Sequence, residues 1–314
     1  MCRALTMKYV GRRQIELYEV EVPDPQPDQV QVSLRACGVC SWDLATFKGG
    51  PVGPAPAPPG HEGVGIVTKV GSGVTSLAEG DIVAGGGFCS LQNKKASSSI
   101  KLPGDIPEED IPYWILEPVS CAVNGVDHVD VRPADRIVLI GTGYMGLLML
   151  QLLLHCPVGD ITALDVLPER LELALKLGAE RTLKADEPGI ADGLREDGVD
   201  TVVDTTGNQA ACELGLELTP PGGKFILFGW NRNILHMDGT QLHLKGITLV
   251  NASPAAATLS DINRRTACLM VRGVVSNKPL VTHIMPIDRL EELLTIGVER
   301  AEGYIKGVAT FPAV

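Results

Sequence analysis

Basic residues, aromatic residues and long apolar runs are scarce in this chain, and each scarcity excludes a class of function. Lys and Arg number 27 against 38 Asp and Glu, which gives a formal net charge of −11. This charge repels phosphodiester backbones and anionic lipid, and aromatic residues at 4% offer few platforms for stacking bases. No apolar run reaches the ~18 residues that a spanning helix needs. We therefore expect neither nucleic acid nor a membrane as a partner.

A disulfide framework is also missing. The eight cysteines are scattered and include a single close pair, Cys37 and Cys40, while the first residues lack the long apolar segment of a secretory signal. These features predict a reduced, cytoplasmic protein. The chain has 314 residues, 45% of them apolar, which is enough for one large or two medium domains.

Short β-like runs separated by Gly and Pro fill the first 120 residues, as at 30–34, 65–70 and 81–84. The proline-rich stretch Gly49–Gly60 predicts an extended loop, because proline removes backbone donors and restricts its neighbours. It is either a surface loop without a role or the rim of a cleft. We take residues 1–120 as one β-rich domain.

The pattern changes to alternating strands and helices from about residue 136. The predicted elements are strands at 136–140, 161–164, 199–203, 224–228 and 247–250, and helices at 147–155 and 168–177. Such alternation predicts an α/β domain with a doubly wound parallel sheet, placed here at residues 121–252.

The last segment, residues 253–314, is too small for a core of its own. Its pattern predicts a helix at 258–272, a strand at 280–284, a helix at 287–297 and a strand at 304–311. We expect it to pack back onto the first domain.

A glycine-rich motif predicts a nucleotide site. Gly141, Gly143 and Gly146 directly follow the strand at 136–140 and open a helix, which is the context that gives G-x-G-x-x-G its meaning. Glycines permit a tight turn, and the helix N-terminus offers N–H groups to a pyrophosphate. The expected contact residues of this turn are Gly141, Gly143, Tyr144, Met145 and Gly146.

Asp165 lies at the end of the next strand, where a carboxylate accepts hydrogen bonds from the adenosine ribose hydroxyls. Because it repels a 2′-phosphate, it favours NAD over NADP, although Arg170 is nearby. Thr205 and Thr206 follow a further strand at the same carboxyl edge of the sheet, and we expect them beside the nicotinamide.

The pair Cys37 and Cys40 allows three interpretations. A zinc ribbon needs a second such pair, a thioredoxin-like motif needs a helix that starts there, and two buried thiols need nothing further. The β-like surroundings argue against a helix start. Asp43, His61 and Glu62 change the balance, because a thiolate, an imidazole and a carboxylate suit zinc with an open position. Asp43 is then a candidate to hold the ring of His61 through its second nitrogen.

Together, Cys40-x-x-Asp43, Gly60-His61-Glu62 and the glycine motif with Asp165 make the whole chain resemble the zinc-dependent medium-chain dehydrogenases. The resemblance implies a GroES-like catalytic domain around a Rossmann domain, with zinc and nicotinamide as cofactors. It also implies that Cys40 and His61 are zinc ligands, that Cys37 is not, and that Glu62 lies behind or on the metal. Glu117 matches the third ligand position as it occurs in the polyol and sorbitol branch. Lys306 matches a basic residue that contacts the cofactor phosphates.

Three departures from that family matter. The four-cysteine structural-zinc lobe is absent, since only Cys89 lies between Phe88 and Ile100, so we expect at most one zinc per chain. Trp42 and Ala45 occupy the positions where relatives carry the hydroxyl and the histidine of a proton relay. The proton path therefore requires a water chain or a carboxylate such as Glu62, and Trp42 suggests a pocket walled by an indole.

The sequence thus predicts a zinc-dependent and NAD-dependent oxidoreductase that acts on a secondary alcohol of a polyol, cyclitol or sugar-like molecule. Zinc would lower the pKa of the substrate hydroxyl, and the nicotinamide would take the hydride. One rival is a zinc-free reductase of enones or quinones, whose sequences usually lack the Cys and His pair. Another is a catalytically silent NAD-binding or scaffold protein, a reading to which Trp42 and Ala45 give some weight. We expect a homodimer or homotetramer paired through the edge strand at 246–250.

Overall fold

The computed structural model describes residues 2–49, 59–231, 233–253 and 259–312. The chain forms two compact units. Unit 1 comprises Met1–Pro118, Asn263–Val271 and Ser276–Val314, and unit 2 comprises Val119–Ile262 and Arg272–Val275. The chain thus leaves unit 1 after Pro118 and first returns to it at Asn263.

Unit 1 is rich in β-structure. Its strands are β1 (Cys2–Gly11), β2 (Gln14–Val22), β3 (Gln29–Gly38), β4 (Glu62–Val70), β5 (Ile82–Ala84), β6 (Leu91–Lys95), β7 (Ile100–Lys101), β14 (Val281–Pro286) and β15 (Lys306–Thr310). The main sheet has the order β14-β15-β3-β4-β5-β7, with β6 paired to β3, while β1 and β2 form a separate antiparallel ribbon. Helices α1 (Ser41–Phe47) and α9 (Leu290–Glu299) also belong to this unit, and α9 follows a 3₁₀ turn at Ile287–Arg289.

The core of unit 1 forms around strand β3. Val30, Val32 and Leu34 are fully buried there, because the strand pairs on both sides and packs beneath α9 residues such as Leu293. Apolar side chains buried in this way stabilise the unit by roughly 1.5–3 kcal/mol each. This rigid strand leads directly into Cys40.

Unit 2 contains the predicted doubly wound sheet. Its strands are β8 (Arg136–Ile140), β9 (Asp160–Asp165), β10 (Arg181–Lys184), β11 (Thr201–Asp204), β12 (Lys224–Leu227) and β13 (Thr248–Asn251). They are all parallel, in the order β10-β9-β8-β11-β12-β13. Its helices are α3 (Tyr144–Leu153), α4 (Pro168–Lys176), α5 (Ile190–Asp197), α6 (Gln209–Leu218) and α7 (Gly239–Lys245). The predicted fold class is confirmed.

Two further helices contain the points where the chain passes between the units, α2 (Glu117–Val129) and α8 (Leu259–Val271). Among the described helices, none is long and apolar enough to cross a membrane. All eight cysteines are free thiols.

Several elements differ from the sequence-based predictions. The β1–β2 ribbon and helix α1 were not predicted, and α1 corrects the statement that no helix starts after Cys40. Its seven residues are too few for a helical apolar pattern to be recognised. The predicted strand at 304–311 is shorter, Lys306–Thr310. Most of the proline-rich loop, residues 50–58, lies outside the described residues.

Candidate metal and nucleotide sites

Cys40 is held where strand β3 gives way to helix α1. It is the N-cap residue of that helix, and its backbone N–H donates to Asp43 Oδ2 at 2.9 Å. A carboxylate at this helical position satisfies an amide that the helix itself leaves unpaired. The sulfur of Cys40 is therefore presented from a fixed backbone and remains partly exposed.

His61 and Glu62 approach Cys40 from the neighbouring strand. Gly60 has a φ of +86°, and a Cβ atom there would lie 2.9 Å from Phe88 N, so only glycine allows the chain to enter β4 in this way. One ligand atom each from Cys40, His61 and Glu62 lie within 4.8 Å of one another. In the part of the chain that the structure describes, this is the one cluster of such residues able to hold a metal ion.

Glu117, the first residue of α2, lies beside the same cluster. Its Oε2 atom is 3.9 Å from Nε2 of His61, and both side chains are partly exposed. The structure therefore brings together all four residues that the sequence proposes as metal ligands. Their chemistry fits zinc, which binds thiolate, imidazole and carboxylate in sites that keep one position open.

The electrostatics of the cluster also suit a cation. Burial alone would lower the pKa of His61, but the neighbouring Cys40, Glu117 and Glu62 raise it to about 10. The same anionic surroundings that favour a proton on the imidazole would favour a divalent ion in its place.

Asp43 supports the site differently from the prediction. It is fully buried, and its described hydrogen bonds come from Cys40 N and from the hydroxyl of Tyr9, at 3.4 Å to Oδ1. Burial raises its pKa to about 6, and the charge of His61 acts against that shift. Asp43 thus holds the backbone of Cys40 in place by a hydrogen bond. Among the described residues, the predicted hydrogen bond between Asp43 and the His61 ring is absent.

Lys306 lies beside Glu62 in unit 1. Its Nζ lies 2.5 Å from Glu62 Oε2 and donates to Val39 O at 2.8 Å, and only 4% of its side chain is exposed. Its ammonium is thus paired within unit 1. That Lys306 also contacts the cofactor phosphates stays a prediction.

The two relay positions lie in helix α1. Trp42 is partly buried, and its carbonyl accepts a hydrogen bond from Thr46 Oγ1, while Ala45 is buried. Neither side chain can carry a proton. Glu62 is 2% exposed and paired with Lys306, which makes it a poor alternative to a water chain.

The glycine motif of unit 2 forms the predicted tight turn between β8 and α3. Gly141 has a φ of +95°, and a Cβ atom on Gly146 would lie 1.9 Å from Gly141 O. Helix α3 starts at Tyr144, so Tyr144 and Met145 form its first turn after the N-cap residue Gly143. A helix N-terminus with glycines at these points is suited to a pyrophosphate.

Asp165 ends strand β9 beside this turn, and its carboxylate already accepts three hydrogen bonds. Its Oδ2 accepts from Thr142 N at 2.7 Å and Thr142 Oγ1 at 3.1 Å, and its Oδ1 accepts from Leu167 N. Arg170 Nη1 is 3.9 Å from Oδ2. Since a carboxylate offers about four acceptor positions, Asp165 retains room for one further donor at Oδ1.

Thr205 and Thr206 follow strand β11. The hydroxyl of Thr205 donates to backbone oxygens, at 2.8 Å to Gly141 O, and that of Thr206 donates to Asp204 Oδ1 at 2.7 Å. Both threonines therefore shape the floor of the glycine turn. Asp204 was not singled out in the sequence, where it reads only as the last residue of a strand.

Two family profiles match this chain. The profile of the "Alcohol dehydrogenase GroES-like domain" matches residues 26–104, in unit 1, and that of "Zinc-binding dehydrogenase" matches residues 145–262, in unit 2.

Curated relatives match almost end to end. The L-threonine 3-dehydrogenase of Caldanaerobacter subterraneus subsp. tengcongensis is 26% identical over 91% of this chain and 93% of its own length. The sorbitol dehydrogenase of Macaca fascicularis is 24% identical over 92% of this chain and 91% of its own. The crystal structure of 2R,3R-butanediol dehydrogenase from Bacillus subtilis shares the fold, with a TM-score of 0.86, 23% identity and coverage of 98% and 99%.

Proposed function

Because this chain belongs to the zinc-type medium-chain alcohol and polyol dehydrogenases, we propose a specific reaction for it. It transfers a hydride between NAD(H) and a secondary alcohol or ketone of a polyol, cyclitol or sugar-like substrate. The observation that carries this proposal is the convergence of Cys40, His61, Glu62 and Glu117 in unit 1.

In this proposal Cys40, His61 and Glu117 hold one zinc ion, and Asp43 keeps Cys40 in place through its backbone amide. Zinc, when bound, supplies a Lewis acid for the alcohol oxygen, and the nicotinamide supplies the hydride acceptor. The proton of the alcohol leaves through water, since Trp42 and Ala45 cannot relay it.

The cofactor proposal rests on unit 2. The turn from Gly141 to Gly146 receives the pyrophosphate, and Asp165 accepts a ribose hydroxyl at its remaining position. Its negative charge disfavours a 2′-phosphate and so favours NAD, although Arg170 reduces the repulsion.

The substrate class is supported by Glu117. A carboxylate at the third ligand position is what the resemblance implies for the polyol branch, and sorbitol and threonine dehydrogenases are among the relatives. We further propose a cytoplasmic homodimer or homotetramer. Strand β13 lies at one edge of the six-stranded sheet and carries the exposed Leu249, so it offers backbone groups to a second copy.

A substrate panel tests the reaction. The purified protein is incubated with NAD and a series of polyols, cyclitols and simple secondary alcohols, with and without a zinc chelator, and NADH formation is followed by absorbance. We expect turnover of polyols that the chelator abolishes and added zinc restores. Chelator-resistant reduction of enones would identify a zinc-free reductase instead, and NAD binding without any turnover would identify a silent protein.

A further inference from the structure

A cavity with a volume of about 220 Å³ opens at the amino edge of the parallel sheet of unit 2. The first residues of strands β8, β9 and β10 line it, together with the end of helix α5. The glycine turn follows the carboxyl end of β8, so this cavity lies at the opposite edge of the sheet from the proposed cofactor site. None of its lining residues belongs to the proposed metal or nucleotide sites.

The strand register forms the floor of the cavity. Val138, Thr162 and Arg181 are direct partners across β8, β9 and β10, so they lie in one row on one face of the sheet. Val138 belongs to the apolar cluster of this unit, where Leu194 of α5 and Val199 are also buried. The apolar core therefore ends at the cavity without filling it. An apolar cavity of about 150 Å³ already accommodates benzene, so there is room here for a small ligand.

Thr162 contributes a hydroxyl group to this floor. Only 7% of the residue is exposed, and its hydroxyl has no hydrogen-bond partner among the described residues. Buried hydroxyl groups nearly always have such a partner, because an unpaired one has lost its bonds to water without replacement. Since Thr162 lines the cavity, a ligand bound there can supply the missing hydrogen bond.

The two arginines at the mouth of the cavity are paired with other groups of the protein. Nη1 of Arg136 donates to the backbone oxygen of Asp197 at 2.6 Å, and its Nε lies 3.6 Å from Oδ2 of Asp200. Arg181 forms an ion pair with the carboxylate of Asp197. An anionic ligand would therefore have to compete with two carboxylates for these guanidinium groups.

Two other carboxylates at the mouth have no cation beside them. Asp160 and Glu180 line the cavity, and neither has an ion-pair partner among the described residues. Asp160 is the register partner of Arg136, whose guanidinium is bound elsewhere. Helix α5 ends at Asp197, and the C-terminal end of a helix carries a partial negative charge that favours cations. The charge that remains uncompensated at the mouth is therefore negative.

We propose that this cavity binds a primary amine with a short apolar body, of the arylalkylamine class. Its ammonium group lies at the mouth beside Asp160 and Glu180 and donates a hydrogen bond to the hydroxyl of Thr162, which follows Asp160 by two residues on the same face of β9. The apolar body packs against Val138 and Leu194. This site shares no residue with the proposed dehydrogenase reaction and does not depend on it.

Isothermal titration calorimetry with phenethylamine tests the proposal. Hydrocinnamate is the matched probe, because it has nearly the same shape and the opposite charge. We expect one amine to bind per chain, and hydrocinnamate to bind at least about tenfold more weakly, about 1.4 kcal/mol. Saturation with NADH should leave the affinity for the amine unchanged, since the cofactor is expected at the other edge of the sheet.

Single variants test the assigned contacts. Asp160→Asn and Glu180→Gln should each weaken amine binding about threefold, as for partly exposed ion pairs. Thr162→Val keeps the shape of the side chain and removes the hydroxyl, and it should weaken binding about tenfold, because hydrogen bonds to charged groups are the stronger ones. Glu172→Gln, on an exposed face of α4, is the matched control and should bind the amine like the wild type.

Three results would overturn the inference. They are equal binding of phenethylamine and hydrocinnamate, an unchanged affinity for the amine in the Asp160→Asn, Glu180→Gln double variant, and displacement of the amine by NADH. The absence of any binding of phenethylamine at millimolar concentration would overturn it as well. A protein that binds the amine in this way but oxidises no alcohol would instead contradict the proposed function and leave this site in place.

Discussion

Gly38 faces Glu62 across the β3–β4 ladder, and the carboxylate of Glu62 occupies the space where a side chain at residue 38 would begin. The glycine is required here by the close approach of a neighbouring side chain, and not by a left-handed backbone, since its φ is not positive. In the sequence Gly38 looks like an ordinary strand residue, yet it determines where the carboxylate of Glu62 lies beside the metal site.

The first prediction follows from this contact. Gly38→Ala should push the Glu62 carboxylate out of its slot, and we expect a loss of about 1–3 kcal/mol in the free energy of unfolding, as for other overpacked sites. Urea unfolding measures it. Gly104→Ala is the matched control, because no atom lies within 4 Å of a Cβ there, and it should change stability by less than about 0.5 kcal/mol. Equal effects of the two substitutions would contradict the crowding at Gly38.

The sequence predicted the parts of the site that are local motifs. The turn at Gly141 was recognisable because a strand precedes it and a helix follows, and both elements are present. Cys40 and His61 were proposed from their residue types, and a family resemblance added their roles, since strand pairing and not sequence spacing brings them together.

Other features depend on tertiary contacts that no local pattern encodes. The sequence around Lys306 has the pattern of an ordinary short strand and does not indicate its ion-pair partner. The pairing of β15 with β3 and of β3 with β4 brings its ammonium to the carboxylate of Glu62. Likewise, the hydrogen bonds of Asp43 to Cys40 and Tyr9 depend on α1 and β1, two elements that the sequence did not predict.

The second prediction concerns metal content. The purified protein should carry close to one zinc per chain, and Cys40→Ala or His61→Ala should remove most of it, because each deletes a ligand of the single described cluster. Glu117→Ala should weaken binding. Cys89→Ala is the control, since this buried thiol belongs to a separate apolar cluster, and it should retain its zinc. The zinc content per chain is measured by elemental analysis after dialysis. Full retention of zinc in the Cys40→Ala, His61→Ala double variant would show that the metal site lies elsewhere.

The third prediction concerns the choice of cofactor. If Asp165 accepts the ribose hydroxyl as proposed, its carboxylate disfavours a 2′-phosphate, so NAD should be used at least about tenfold more efficiently than NADP, about 1.4 kcal/mol in the transition state. Asp165→Ser should narrow or invert this ratio of kcat/KM values. Arg170→Ala should widen it, since the guanidinium is the group that favours a 2′-phosphate. Equal use of both cofactors by the wild type would show that Arg170 cancels Asp165.

The last prediction uses Asp204, whose side chain is fully buried at the end of β11. Its Oδ1 accepts two hydrogen bonds from Thr206, while its Oδ2 has no hydrogen-bond partner among the described residues. Burial raises the pKa of Asp204 above its ordinary value of 3.8, and the bonds from Thr206 only partly oppose that shift. The folded state therefore binds this proton more tightly than the unfolded state does.

Stability linked to Asp204 should consequently fall as the pH rises from 3.8 through the raised pKa of the folded state, and stay constant above it. Asp204→Asn keeps an acceptor for Thr206 and cannot ionise, so it should lack this dependence. We expect the difference in unfolding free energy between wild type and Asp204→Asn to shift in favour of the variant across that window, measured by urea unfolding at a series of pH values. Glu172→Gln, on an exposed face of α4, controls for the general effect of removing a carboxylate. A difference that stays constant with pH would show that Asp204 is ionised equally in the folded and unfolded chains, and that its buried oxygen is solvated after all.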